Sequence, residues 1–173
     1  MNLSNLVRAA IFSAVAIGLG FMFMLVPNVE FISITVFLSG LTLGFSWGAA
    51  VGASSMLIYS SFNPLGSGLV YFTLLIGQIL AMVVIGMFGA AANKIVKSLA
   101  PVYQAILAGL FGFIGTLIYD ITTNLAYPLS AGYSLKETFV YGISGLLFTA
   151  MHLVSNTAIF SVVVPGYLRK MKL

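Results

Sequence analysis

The sequence contains no cysteine. That excludes disulfides, thiolate metal sites and cysteine nucleophiles, and leaves the redox compartment open. Charge is nearly as scarce: 6% of the 173 residues are charged, against roughly 25% in a soluble domain. Such a chain has too little polar surface to stay in water. Histidine occurs once, and Asp and Glu together three times. One histidine and two carboxylates placed in or near the membrane, at unmatched spacing, form no metal-ligand motif. Ser155 lies three residues after His152 on one helix, which is not the geometry of a catalytic triad without an oxyanion partner. A glycine-rich phosphate loop is also missing. Uphill transport by this chain would therefore draw on a partner subunit or an ion gradient. Seven basic residues scattered over helix ends do not suggest a nucleic-acid partner.

What the sequence does hold is hydrophobic: 61% of its residues, with a mean hydropathy of +1.14. A spanning helix takes about 20 apolar residues, so six spans with short loops use nearly the whole length. The expectation is an all-α integral membrane protein, a single domain over residues 1–173 built as a compact bundle of six transmembrane helices, with no soluble domain. Residues 1–20 are read as part of a retained first helix rather than a signal peptide, because the apolar run is long enough to span and no polar domain follows. Helix ends are expected near residues 6–26, 31–44, 48–62, 70–92, 102–127 and 138–164. Phe45-Ser46-Trp47 is read as a tight turn, residues 63–68 as a loop, 93–101 as a polar link and 128–137 as the last loop. The second and third helices are short for full spans.

Charge gives the orientation. Six spans place Arg8, Lys94, Lys97, Arg169, Lys170 and Lys172 on one side and only Lys136 on the other. The positive-inside rule then puts both termini in the cytoplasm.

Polar groups within lipid are expensive, so the few present are informative. With this topology Asn28 and Glu30 follow the first helix on the outer side, and Asn63 follows the third. Gln78 lies in the outer half of the fourth. Tyr119, Asp120, Thr122, Thr123, Asn124 and Tyr127 crowd the outer half of the fifth. Asp120 and Asn124 are four apart and share a helix face, as do His152 and Asn156. Several helices thus send hydrogen-bonding groups to one depth, as a pocket open to the exterior requires. The competing explanation is that these groups bond to each other and fix helix packing. It carries most weight for Gln78 and Thr122 and least for Asp120. The candidate substrate-binding residues are Asn28, Glu30, Asn63, Gln78, Tyr119, Asp120, Asn124, Tyr127, His152 and Asn156. No residue is assigned a catalytic role, and no metal or cofactor is expected.

Ala10, Ala14 and Gly18 are spaced by four along the first helix and form a smooth strip for close approach of another helix. Gly40, Gly44, Gly48 and Gly52 repeat that spacing, and Gly109, Gly112 and Gly115 line the fifth helix. Most such strips pack within one chain. The first differs in starting beside Arg8, near the cytoplasmic end.

These features together resemble the substrate-binding S component of an energy-coupling factor transporter, the importers that bring vitamins into bacteria. The length and six-helix hydropathy carry part of the resemblance. Ala10-Ile-Phe-Ser-Ala14 looks like the family's alanine-x-x-x-alanine contact for the membrane coupling subunit. Val26-Pro27-Asn28-Val29-Glu30, with Phe37-Leu38-Ser39-Gly40, Gly44, Trp47-Gly48 and Gly52, looks like its first loop and second to third helices. Asn63-Pro64-Leu65-Gly66 resembles its third loop. The resemblance implies a non-enzymatic subunit of a bacterial or archaeal cytoplasmic membrane. Ligand would bind near the outer face, between helices four to six and the first, third and fifth loops, and would be released inside when the subunit topples. A coupling subunit and two cytoplasmic ATPases would drive the cycle. Which vitamin is left open: thiamin-like, corrinoid or benzimidazole-like, and flavin-like ligands all remain, although a polyanion would lack a charge partner. The other class kept open is an autonomous channel or secondary transporter, which would show a polar stripe through the full membrane depth.

Overall fold

The computed structural model describes residues 3–66 and 68–171. Ser67 of the expected third loop and Lys172 of the basic tail lie outside the described residues. Among the described residues seven α-helices follow one another: α1 (Leu3–Phe23), α2 (Ile32–Leu43), α3 (Phe45–Phe62), α4 (Phe72–Ser98), α5 (Pro101–Ser130), α6 (Leu135–Ser144) and α7 (Leu146–Met171). Among the described residues there is no strand. Four helices, α1, α4, α5 and α7, are long and apolar enough to cross a membrane. Large side chains such as Val7, Ile11, Met22, Leu80, Ile106 and Val154 point outward from these four, which suits lipid rather than water.

Helix α2 is the core of the bundle. Every residue from Ile32 to Leu41 is buried, and the helix's enclosed hydroxyls find partners inside the bundle: Ser33 at the Met82 sulfur, Thr35 at the Phe31 carbonyl and Ser39 at the Val36 carbonyl. At about 1.5 Å per residue it is only roughly 18 Å long. Its close seat against α4 depends on missing side chains. A Cβ on Gly40 would run into the carbonyl oxygen of Gly86, and one on Gly89 into that of Phe37. The same holds for α3, where a Cβ on Gly48 would lie 2.6 Å from the Gly86 carbonyl oxygen. Three members of the second glycine strip, Gly40, Gly48 and Gly52, therefore pack internally on α4. Gly44 does something else. It sits at φ 90° between α2 and α3, a conformation costly for a residue with a Cβ.

Several boundaries differ from the sequence expectation. Phe45-Ser46-Trp47 is the first turn of α3 rather than a linking turn, because Gly44 alone reverses the chain. Helix α4 continues through Asn93 to Ser98, since the Asn93 amide turns inward to the Leu41 carbonyl instead of ending the helix. Helix α1 ends at Phe23, before Pro27, and α5 runs through Pro128 to Ser130. The expected sixth helix is two helices. Ser134 and Glu137 form a capping box that starts α6, a sequence signature of a helix start. Gly145 then separates α6 from α7.

The aromatic side chains Phe37, Phe88, Phe111 and Phe160 meet in the middle of the bundle, with ring centroids 5.2–5.9 Å apart. Phe37 and Phe160 are fully enclosed. They form an apolar floor, and the candidate site lies on its far side from the chain termini.

Candidate functional site

The site begins with the turn that leaves α1. Val26 and Val29 close successive turns by backbone hydrogen bonds, and Asn28 takes a left-handed φ of 57°, which asparagine tolerates better than most residues. This turn folds Glu30 back over the helix ends. Glu30 Oε2 accepts the backbone amide hydrogen of Ser33 in the first turn of α2, at 2.9 Å. Its other oxygen, Oε1, accepts from Asn156 Nδ2 of α7, also at 2.9 Å. Burial pushes the Glu30 carboxyl up, but the hydrogen bond and charge of His152 and the contacts to Ser33 outweigh it. The group ends below its ordinary value.

Asn156 is fully buried and joins three elements. Its Nδ2 lies 2.9 Å from Thr116 Oγ1 of α5 and 3.1 Å from His152 Nε2, besides Glu30. One turn along α7, His152 Nδ1 lies 2.9 Å from Asp120 Oδ1. His152 Nε2 is 3.9 Å from Glu30 Oε1. The single imidazole is thus held between two carboxylates, one from α5 and one from the first loop. In a neutral ring a hydrogen on Nδ1 directed at Asp120 leaves Nε2 to accept from Asn156, whereas a charged ring carries a hydrogen on both nitrogens. The i, i+4 spacings read from the sequence do produce facing pairs: Asp120 and Asn124 on α5 turn towards α7, and His152 and Asn156 turn towards α5.

Two chambers flank His152. The first, about 250 Å³, lies beneath the first loop, with Asn28, Glu30, Met56, Tyr59, Tyr119 and His152 among its walls. The second, about 310 Å³, is walled by Asp120, Asn124, Tyr141, Phe148, Thr149 and His152, with Asn28 again at its edge. Asn28 and His152 therefore stand between the two. Three buried polar atoms here have no hydrogen-bond partner: Asn28 Nδ2, Asp120 Oδ2 and Asn156 Oδ1. An unpaired buried polar group is costly, and such groups in a native fold call for an explanation.

The remaining expected residues divide. Gln78 lines neither chamber; it accepts from Ser60 Oγ (2.6 Å) and donates to the Tyr119 hydroxyl (3.1 Å). It positions Tyr119, whose ring stands edge-on to His152 with centroids 6.3 Å apart. Asn124 lines the second chamber and donates to Thr149 Oγ1 at 3.4 Å. Tyr127 packs between Tyr71 and Tyr141, with centroids 5.0 and 5.6 Å away, and borders neither chamber. Asn63 lines neither chamber; its Oδ1 accepts the Leu65 amide hydrogen at 2.9 Å in a local turn, and its side chain also hydrogen-bonds Tyr59, a wall of the first chamber. Sequence reasoning missed Tyr59, Thr116, Tyr141 and Thr149. Thr116 lies one turn before Asp120 on α5 and was legible on that account. Tyr141 was not, because it belongs to the unanticipated α6.

The first-helix strip separates in the opposite sense from the glycines of α2 and α3. Ala10, Ala14 and Gly18 are exposed, and a Cβ on Gly18 would meet nothing within 4 Å. Ala9, Ala16 and Gly20 face the bundle instead.

Among known proteins, no family model matches this chain, and neither does any curated protein or solved structure.

Proposed function

We propose that the chain is the membrane-embedded substrate-binding subunit of an ATP-driven importer of the energy-coupling factor type. It takes a small water-soluble vitamin or vitamin precursor from the outer face and does no chemistry of its own. In this reading α1, α2, α3, α4, α5 and α7 pass through the membrane, α6 lies along the outer side, and both termini are cytoplasmic. The observation that carries the reading is the one-sided site. Glu30, Asp120, His152 and Asn156 converge from the first loop, α5 and α7 beside two chambers, above the Phe37, Phe111 and Phe160 floor. A channel would need polar groups continuing through that floor, so the floor favours a binding subunit over the channel or secondary transporter. The outward strip of Ala10, Ala14 and Gly18 supplies a smooth surface on which a coupling subunit's helix would pack, with two cytoplasmic ATPases behind it.

Co-purification tests this directly. The tagged chain, isolated from its native membrane, is expected to carry a coupling subunit and two ATPase subunits, and to retain a small molecule in native mass spectra. Transport by the chain alone in liposomes, without nucleotide and driven by an ion gradient, would establish the secondary transporter instead.

A further inference from the structure

The geometry points to a flat, nitrogen-rich organic cation as the ligand, its N–H donors meeting Asp120 Oδ2 in the chamber walled by Tyr141 and Phe148. This deepens the proposed binding function and rests on it. The first support is the charge count. The walls of the two chambers contain two carboxylates, Glu30 and Asp120, and one imidazole, and, among the described residues, no lysine or arginine. With both carboxylates ionised the empty site carries one net negative charge if His152 is protonated and two if it is neutral. A carboxylate or phosphate ligand would enter with no positive partner beyond that imidazole, which Asp120 already holds.

The second support is an unused acceptor. Asp120 is only 8% exposed and borders the second chamber. Its Oδ1 is taken by His152, while its Oδ2 has no partner. An ionised oxygen in that position is satisfied best by a charged N–H donor. One turn further along α5, Asn124 gives its amide nitrogen to Thr149, which leaves its carbonyl oxygen as a second acceptor. Two aromatic side chains, Tyr141 and Phe148, line the same chamber, and aromatic rings attract a planar cation by its charge and its face. The donor-rich edge and flat shape are thus set by the second chamber, and the positive charge by the two chambers taken together.

The test measures binding to the purified full chain in detergent by calorimetry and by thermal shift. Thiamin, 2,4-diaminopyrimidine and benzamidinium serve as cationic probes, and nicotinate, pantothenate and riboflavin as anionic and neutral ones. Binding is expected from the cationic set, with affinity falling about tenfold or more in Asp120→Asn, the scale of one hydrogen bond to a charged group. Tyr141→Leu, on the exposed α6, is the second variant and is expected to weaken the same probes if Asp120→Asn does not fold. Tight binding of nicotinate, pantothenate or riboflavin alone overturns the cation assignment and leaves the binding subunit standing. Cation binding indifferent to both variants also overturns it. No binding by any probe, together with no small molecule retained in native mass spectra, overturns both.

Discussion

At the scale of single residues, the site separates side chains that hold the fold from side chains turned to a chamber. Asn156 is of the first kind. Its Nδ2 serves Glu30, Thr116 and His152, so Asn156→Ala removes the link between the first loop, α5 and α7 and leaves buried groups unpaired. A loss of about 2 kcal/mol or more is expected, read as a lowered melting temperature without any ligand. Asn124 is of the second kind, with only a 3.4 Å contact to Thr149. Asn124→Ala is expected to change the stability without ligand by less than about 0.5 kcal/mol and to weaken ligand binding. Equal destabilisation by the two variants would show that Asn124 serves packing. Much of this was legible in the sequence, because residues four apart share a helix face and ionisable groups are rare in lipid. The central place of Glu30 was not, since it depends on the Asn28 turn folding the loop inward. Nor was the place of Asn63 and Tyr127 behind the chamber walls, where Asn63 meets a local amide and Tyr59, and Tyr127 meets the rings of Tyr71, just before α4, and Tyr141 of α6.

At the scale of elements, small residues do two jobs that the sequence spacing alone did not separate. On α2, α3 and α4 they allow backbones to touch, so Gly86→Leu is expected to abolish folded, inserted protein, because the side chain would meet the Gly48 backbone. On α1 they face outward. Ala14→Leu is expected to leave monodisperse protein with unchanged ligand affinity while transport and co-purification of the coupling subunit fall. Loss of ligand affinity with assembly intact would mean the strip packs within the chain. Helix α6 adds a pH dependence. Hydrogen bonds from the Ser134 side chain and backbone hold the Glu137 carboxyl below its ordinary value. A depressed carboxylate stabilises the helix start above its unfolded pKa, and that support is lost as pH falls through its lower folded value. Protection of the α6 amides, relative to the intrinsic exchange rate at the same pH, should therefore fall below about pH 4; Glu137→Gln should remove that pH dependence, and Ser134→Ala, which keeps the backbone donor, should only reduce it. The capping box was plain in the sequence, Ser134-Leu-Lys-Glu137. The apolar run after it nevertheless reads as one continuous span, and only Gly142 and Gly145 hint at the break. Asn93 and Pro128 misled in the other direction: each normally punctuates a chain, but a buried carbonyl partner and a final helical turn absorbed them.

At the scale of the whole molecule, orientation decides which end of the bundle meets the outside, and the entire site assignment depends on it. The chambers, the first loop, the α3–α4 connection and the turn before α6 share one end; the termini and the α4–α5 connection share the other. Arg8, Lys94, Lys97, Arg169 and Lys170 mark the second end, and Lys172 follows them in sequence; Lys136 is the lone basic residue at the first. A bias of six to one is strong under the positive-inside rule, which counts lysine and arginine near span ends. It also requires an even number of passes, because one pass fewer would divide these charges between the two faces. Helix α2 is the weak point of that count: at twelve residues it falls short of the roughly 20 that cross a bilayer. Enclosure by α1, α3, α4 and α7 lets it lie at membrane depth without meeting lipid along its length. Alkaline phosphatase and fluorescent-protein fusions at residue 2 and after residue 173 are therefore expected to report cytoplasm at both ends, and a phosphatase fusion in the α3–α4 connection to report the exterior. A cysteine placed at Ser134 in this cysteine-free chain should react with an impermeant maleimide added to intact cells, while one placed at Ser98 should react only after the cells are opened. Termini on opposite faces would show an odd number of passes, whereas an α2–α3 pair that re-enters from one side leaves four passes and keeps the termini together. Both termini outside would turn the chambers towards the cytoplasm and remove the basis for uptake from the exterior.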